Sequence, residues 1–445
     1  MQALDYTNAR ILAPMVRIGT LPTRLMALEY GADLVYTPEV VDKAIAGAVR
    51  VVNEDNGTID YLQKGVSVFR THPSEKSKLV FQIGSANADL ALEAALTVAQ
   101  DVSTVDLNCG CPKRFSVHGG MGAALMEEPE KLCGILRKLV EHSGLPVTCK
   151  IRIFPDRERT IKLVKMIEAT GIKALAVHCR YRDQRPRERA HWDRLKEIVE
   201  AVSIPVIANG DAWEYEHLGK LQDLSGATAV MYARRAEANV SVFRKEGLLP
   251  LNEIVTAYIR KCLETRNHHS NTKYVLMQMF VDDTKDPRYR QLCEAKCFRA
   301  VCKVFGMEGE LDAWLQSQQA KGYPTDLDSV PRKAGEMANK DEATNAANTA
   351  QKHKQQDLRK RKLEQQEVEG EEKNEISAPA TKKQMTEISS QQTINGDHRS
   401  SSRIAPTETS RIEEIIAEEK EVDNNLPSAG AEQGQTKEVT SLLYS

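Results

Sequence analysis

The segment Asp106-Leu107-Asn108-Cys109-Gly110-Cys111-Pro112-Lys113 places a thiol where an apolar run ends. Cys111 is held between a glycine and a proline, beside an amide and two basic side chains, Lys113 and Arg114. A cysteine at a strand end, next to hydrogen-bonding and charged groups, is placed to move a proton rather than to pack. Its unperturbed pKa of about 8.5 keeps it mostly protonated at neutral pH, which suits a general acid. Cys109-x-Cys111 has the spacing of half a metal site, but no second pair has finger spacing, so no metal is expected. Other apolar runs also close on polar or turn-forming residues: Pro14-Met15, Gln82, Asn108, Lys150, His178 with Arg180, Asn209-Gly210 and Ala233-Arg234. Amides, a lysine and a histidine over one mouth suit a planar heterocycle rich in carbonyls and ring nitrogens, and an isoalloxazine fits. Lys150 would oppose the negative charge of a reduced flavin, and the last two runs would offer backbone N–H groups to a phosphate.

The elements that must position these residues follow from periodicity. Strands are expected at 10–16, 33–40, 79–84, 104–108, 146–153, 174–179, 205–209 and 227–233, with amphipathic helices at 89–100, 129–142, 159–169 and 192–201. Eight βα units in about 240 residues is the size of a TIM (β/α)8 barrel, whose active sites lie at the C-terminal ends of its strands. A doubly wound open sheet is the runner-up, but no G-x-G-x-x-G follows the first strand. The polar crossover from Val41 to Lys78 is expected to hold a hairpin around Asn56-Gly57. Helices at 251–263, 272–280 and 289–304 point to a small all-α domain. The expected division is a catalytic barrel over 1–240, a helical domain over 241–330 and a disordered tail over 331–445, which has too few apolar residues to fold alone. Cys293, Cys297 and Cys302 fall near helical spacing and read as core thiols.

Composition narrows the class. Lys and Arg total 61 and Asp and Glu 63, so any affinity for nucleic acid must come from a local patch. Arg180, Arg182, Arg185, Arg187 and Arg189 form such a patch directly after the sixth strand, where phosphate contact is expected. No apolar run is long enough for a membrane span, and no secretory signal is legible at the start. Nine cysteines without a framework spacing indicate reduced thiols, and the cytoplasm is the expected compartment. The basic run Lys352–Lys362 leaves the nucleus open as a second one. A monomer is expected.

Several segments resemble the dihydrouridine synthases: Ala13–Met15, Phe81–Gly84, Asn108–Lys113, Gly119–Leu125, Thr148–Ile153, Val177–Arg180, Ile204–Asp211 and Val230–Arg234. Within that family the chain is similar to the eukaryotic branch acting on position twenty of the tRNA D-loop, and Asn271–Tyr274 with Gln278-Met279 also look like that branch. The resemblance covers roughly residues 8–310. It implies FMN as cofactor, NADPH as hydride source and a tRNA uridine as substrate, with the helical domain helping to bind tRNA. It also implies that Pro14, Met15, Gln82, Asn108, Lys150, His178, Asn209, Gly210, Ala233 and Arg234 hold the flavin. Cys111 would be the general acid, and Asn108, Arg180, Arg182 and Arg185 would meet the substrate. The sequence departs from the family at Cys179, where glycine is common, and over 235–240, which is more polar than usual. The double-stranded RNA-binding domain appended in animal relatives is not expected here. Two other classes are set against this reading: an FMN barrel reducing a small molecule, and a non-catalytic RNA-binding scaffold.

Overall fold

The structure, a computed structural model, describes residues 4–328. Its strands are β1 (Arg10–Leu12), β2 (Leu34–Tyr36), β3 (Val40–Val41), β4 (Val49–Val52), β5 (Ile59–Gln63), β6 (Val66–Thr71), β7 (Leu79–Gly84), β8 (Thr104–Cys109), β9 (Val147–Arg152), β10 (Ala174–His178), β11 (Val206–Asn209) and β12 (Ala229–Tyr232). β1 pairs in parallel with both β2 and β12, and β2 with β7; from there each strand pairs with the next through to β12. The ring therefore closes as an eight-stranded parallel barrel, as the sequence implies.

Alternation along the strands builds two apolar layers. Ile11, Tyr36, Val80, Ala176, Ile207 and Met231 cluster inside the ring. Their chain neighbours Leu12, Val35, Phe81, Val177, Ala208 and Tyr232 join the larger core under the helices. Each fully buried large side chain of that layer contributes about 1.5–3 kcal/mol. The crossover helices lie close to expectation, at Ala88–Val98, Pro129–His142, Arg157–Glu168 and Leu195–Ala201, the last preceded by a 3-10 turn at Trp192–Arg194. Asn87 and Asp156 start two of them by accepting from backbone N–H groups of the first turn.

Three departures have physical causes. The expected strand over 33–40 breaks at Thr37-Pro38-Glu39, because Pro38 has no N–H to give to a ladder. The chain resumes as β3, which pairs with the far end of β7, Val40 opposite Ile83 and Val41 opposite Gly84. The polar crossover holds a three-stranded antiparallel sheet, β4-β5-β6, rather than a hairpin alone. Its turn uses Gly57 at φ 70°. Arg50 and Tyr61 both donate to Asp101, and the buried pair Arg24–Glu75 ties the following segment to the helix Leu21–Glu29 after β1.

Third, the single helix expected over 289–304 is two, Pro287–Glu294 and Phe298–Val304. Lys273 Nζ donates to the carbonyls of Cys293 and Ala295 and so caps the first, while Cys297 is fully extended at φ −153°. The break corrects the reading of three core thiols: Cys302 is buried, but Cys297 is half-buried and Cys293 exposed. A further helix, Glu308–Ala320, was not anticipated. The helical region docks through Asn271, which accepts from Thr20 Oγ1 and donates to the Arg17 carbonyl in the loop after β1. No helix of the described residues is long and apolar enough to cross a membrane. The expected tail, including Lys352–Lys362, lies outside the described residues.

Candidate active site

The thiol loop is fixed from three sides. Asn108, at the end of β8, turns its Oδ1 back to accept from the N–H groups of Gly110 and Cys111, at 3.0 and 3.1 Å. Arg152 Nε, from the end of β9, donates to the Gly110 carbonyl at 2.8 Å. Ala123 N donates to the Cys111 carbonyl at 2.9 Å. That close approach needs Gly122, which sits at φ +58°, where a Cβ would come within 2.4 Å of Ser116 Oγ and 2.6 Å of the Cys111 carbonyl oxygen. Burial, and then the carboxylate of Glu39, push the Cys111 thiol above its ordinary pKa, so it is a protonated donor at neutral pH. Cys109 points the other way. It is fully buried, with its sulfur 3.6 Å from that of Cys149 on the neighbouring strand.

Cys111 opens into a cavity of about 270 Å³ at the C-terminal ends of the barrel strands. Pro14, Gln82, Asn108, Lys150, His178, Arg180, Asn209, Gly210, Ala233 and Arg234 line it with Cys111, so most of the residues picked from strand ends converge there. Met15, Arg182 and Arg185 do not line it. Met15 packs against the core, and its carbonyl accepts from Gly19 N. Arg182 and Arg185 are exposed on the loop after β10, whose Gln184 and Pro186 do reach the cavity.

Beneath the cavity, the Asp106 carboxylate accepts from Gln82 Nε2 at 2.8 Å and Thr148 Oγ1 at 2.7 Å, which fixes which way the Gln82 amide faces. Asn209, which lines the cavity, donates its Nδ2 to the Met231 carbonyl at 3.0 Å, which fixes its amide. Burial, and then the charge of Arg152, lower the Lys150 ammonium to about 8. His178 is held well below its usual pKa by burial and by Lys150, Arg152, Arg180 and Arg234, so it is a neutral imidazole at pH 7.

Arg180 lines the cavity, but its N–H groups are engaged. It donates to the carbonyls of Glu188 and Pro186 and to Asp211, with Nη1 3.1 Å from His178 Nε2. Asp211, at φ +57°, also accepts from Arg234 and from Ala190 N, so one carboxylate clamps two arginines and the loop after β10. Arg234 in turn lies 4.7 Å over the Trp213 ring.

Glu39, Arg152, Asp211 and Trp213 line the cavity and were missed by sequence reasoning. Arg152 carried a signal, since it lies two residues after Lys150 and so on the same side of its strand. Asp211 follows the Asn209-Gly210 turn and was within reach of the same strand-end logic. Glu39 read as strand interior and carried none.

A family model described as dihydrouridine synthase matches residues 11–285. The chain belongs to the dihydrouridine synthase family. A relative from Schizosaccharomyces pombe, named tRNA-dihydrouridine(20) synthase [NAD(P)+], is 42% identical over 321 residues, covering 69% of this chain and 67% of the relative. One of the same name from Saccharomyces cerevisiae is 42% identical over 305 residues, covering 62% and 78%. A mouse protein named tRNA-dihydrouridine(20a/20b) synthase [NAD(P)+]-like is 33% identical over 237 residues, covering 53% and 68%. The matched span runs from β1 past the thiol loop and the full ring of strand ends into the helical region of this synthase.

Proposed function

We propose that this synthase reduces the uridine at position 20 of the tRNA D-loop, with FMN in the barrel mouth and NADPH as hydride source. The observation that carries the reading is the fixed, protonated thiol of Cys111 on the same cavity as Gln82, Lys150, His178 and Asn209. Position 20 is supported by the two yeast relatives of that name at 42% identity.

The residues fit a flavin. Lys150, Arg152, Arg180 and Arg234 converge on the mouth and add to burial in holding His178 neutral, against two carboxylates, Glu39 and Asp211, of which Asp211 pairs with two of the four. A site with that excess of positive charge favours an anionic ligand carrying a phosphate. When bound, FMN supplies a two-electron relay from NADPH to C6 of uracil. Lys150 would lie against the ring and oppose its negative charge. Gln82, oriented by Asp106, and Asn209 would hydrogen-bond its edge, and Arg234 with the backbone at Gly210 and Ala233 would meet the phosphate.

Hydride addition at C6 leaves charge on C5 and the adjacent C4 carbonyl, and Cys111 protonates C5. Neutral His178 can donate to a carbonyl oxygen without bringing another full charge. The uracil must leave its stack to reach this depth, at a cost of about a few kcal/mol for an exposed loop base.

Identifying the chromophore released by denaturation tests the cofactor. Mapping dihydrouridine in tRNA from cells lacking the gene tests the substrate. The expected results are FMN and loss of modification at position 20. A colourless protein, or loss confined to another position, would remove the corresponding part of the proposal. Against a small-molecule substrate stands the exposed arginine loop at the mouth. An assay with free uridine should show no turnover above background.

A further inference from the structure

Two carboxylates line the cavity. Asp211 is fully occupied by two arginines and a backbone N–H. Glu39 is not: both of its carboxylate oxygens are buried and neither makes a hydrogen bond of ordinary geometry, with only Cys111, Ser116 and Asn108 near enough to favour its charge. A buried carboxylate held only by loose contacts costs stability, and a fold keeps one where it has work.

The local backbone is arranged to present it. Glu39 sits in the break between β2 and β3 that Pro38 enforces, and its side chain lies across Gly84 at the end of β7. A Cβ at Gly84 would come within 2.5 Å of Glu39 Oε1, so any side chain there would push the carboxylate from its present place. The groups that face its carboxyl are Cys111, Ser116 and Asn108, with Lys113 acting on it from the thiol loop. Ser116 Oγ is likewise buried without a hydrogen bond of ordinary geometry, and it faces Cys111 too. The cations Lys113, Lys150 and Arg152 surround the pair from the thiol loop and from β9.

We propose that Glu39 is the proton-holding partner of Cys111, keeping the thiol protonated between turnovers and returning a proton to the thiolate after each reduction. This rests on Cys111 being the general acid. As C5 of uracil takes its proton, the S–H bond breaks and its electron pair stays on sulfur. The thiolate then faces the Glu39 carboxylate. Two like charges facing each other in a buried site disfavour each other, so the pair takes up one proton from water at the open mouth. The carboxyl group binds it. Its O–H bond then breaks as the S–H bond re-forms, and carboxylate and thiol stand as before. No electron is transferred in this step, since the reducing equivalents come from NADPH. Glu39 touches neither substrate nor cofactor in this scheme and acts only through the thiol.

The test uses the full-length holoenzyme with Glu39→Gln and Glu39→Asp. The first readout is the rate of Cys111 alkylation by iodoacetamide against pH, resolved by peptide, without tRNA or NADPH. The exposed Cys293 serves as internal control. Removing the like charge should let the thiol ionise at lower pH, and one pKa unit is a tenfold change in thiolate. Alkylation of Cys111 near neutral pH should therefore rise about tenfold in Glu39→Gln and stay near wild type in Glu39→Asp, which keeps the charge. The second readout is single-turnover reduction of tRNA. Its alkaline limb should move to lower pH in Glu39→Gln and be restored by Glu39→Asp. An unshifted Cys111 profile in a folded Glu39→Gln protein overturns the proposal, as does Glu39→Asp behaving like Glu39→Gln. A Cys111→Ala enzyme that still reduces tRNA at the wild-type rate would instead overturn the general-acid reading beneath it.

Discussion

Cys109 and Cys111 differ by two positions and do different things. Cys109 is the last residue of β8 and points into the layer under the helices, against Cys149. Cys111 lies past the strand, in a loop held by Asn108 and Arg152, and reaches the cavity. Cys111→Ala should lower the rate of tRNA reduction by about 10²–10⁴-fold, the usual contribution of a general acid, while leaving flavin content and its reduction by NADPH intact. Cys109→Ala should instead lower the melting temperature, with a much smaller effect on rate. Stopped-flow reduction and reoxidation of the flavin separate the two half-reactions, and equal losses in the two variants would refute the division. The place of Cys111 at the cavity was legible in the sequence because a Gly-Cys-Pro turn after an apolar run is hard to read as packing. Glu39 was not, since it fell inside the strand expected over 33–40. Only the fold shows that the chain breaks at Pro38 before β3 pairs with β7, and that Glu39 then lines the cavity.

The strands supply the site by simple register, which is why most of its positions could be read in advance. A polar residue closing an apolar run in a parallel barrel has the mouth to face. The inward polar residues deeper in the ring were less legible, because Asp106 inside an apolar run reads as a local exception. Burial raises the Asp106 carboxyl from 3.8 to about 6, against hydrogen bonds from Thr148 and Gln82 and the charge of Lys150. The folded protein thus keeps this proton to a higher pH than the unfolded chain does. That contribution favours folding most below about pH 4 and is lost as pH rises through about 6. Asp106→Asn removes the titration. The stability of wild type relative to this variant should therefore fall by on the order of 1–3 kcal/mol between about pH 4 and 7. Urea unfolding of both proteins across that range measures it, and parallel curves would mean that Asp106 does not titrate there.

At the scale of the whole molecule, the near-balance of 61 basic and 63 acidic residues means that RNA affinity has to be local. The helical region offers less than its composition suggests. Lys261 is paired with Glu29 and Glu264, Arg266 with Asp55, and Lys273 caps a broken helix. The loop after β10 is different. Arg180 and Asp211 clamp its backbone at the cavity rim, while Arg182, Arg185, Arg187 and Arg189 are exposed and form no ion pair among the described residues. A rigid backbone carrying uncompensated guanidinium groups beside the mouth suits phosphate contact, with little ordering entropy left to lose on binding. Each phosphate so neutralised contributes slightly under one unit to the slope of log affinity against log salt. Changing Arg185, Arg187 and Arg189 together to Ala should weaken tRNA binding and flatten that slope by about two units, with the melting temperature unchanged because none of the three holds the fold. Fluorescence polarisation with tRNA at several salt concentrations reads both quantities. An unchanged slope would mean that the RNA path runs elsewhere on the barrel rim, and that the clamp of Asp211 on Arg180 and Arg234 serves only the cavity.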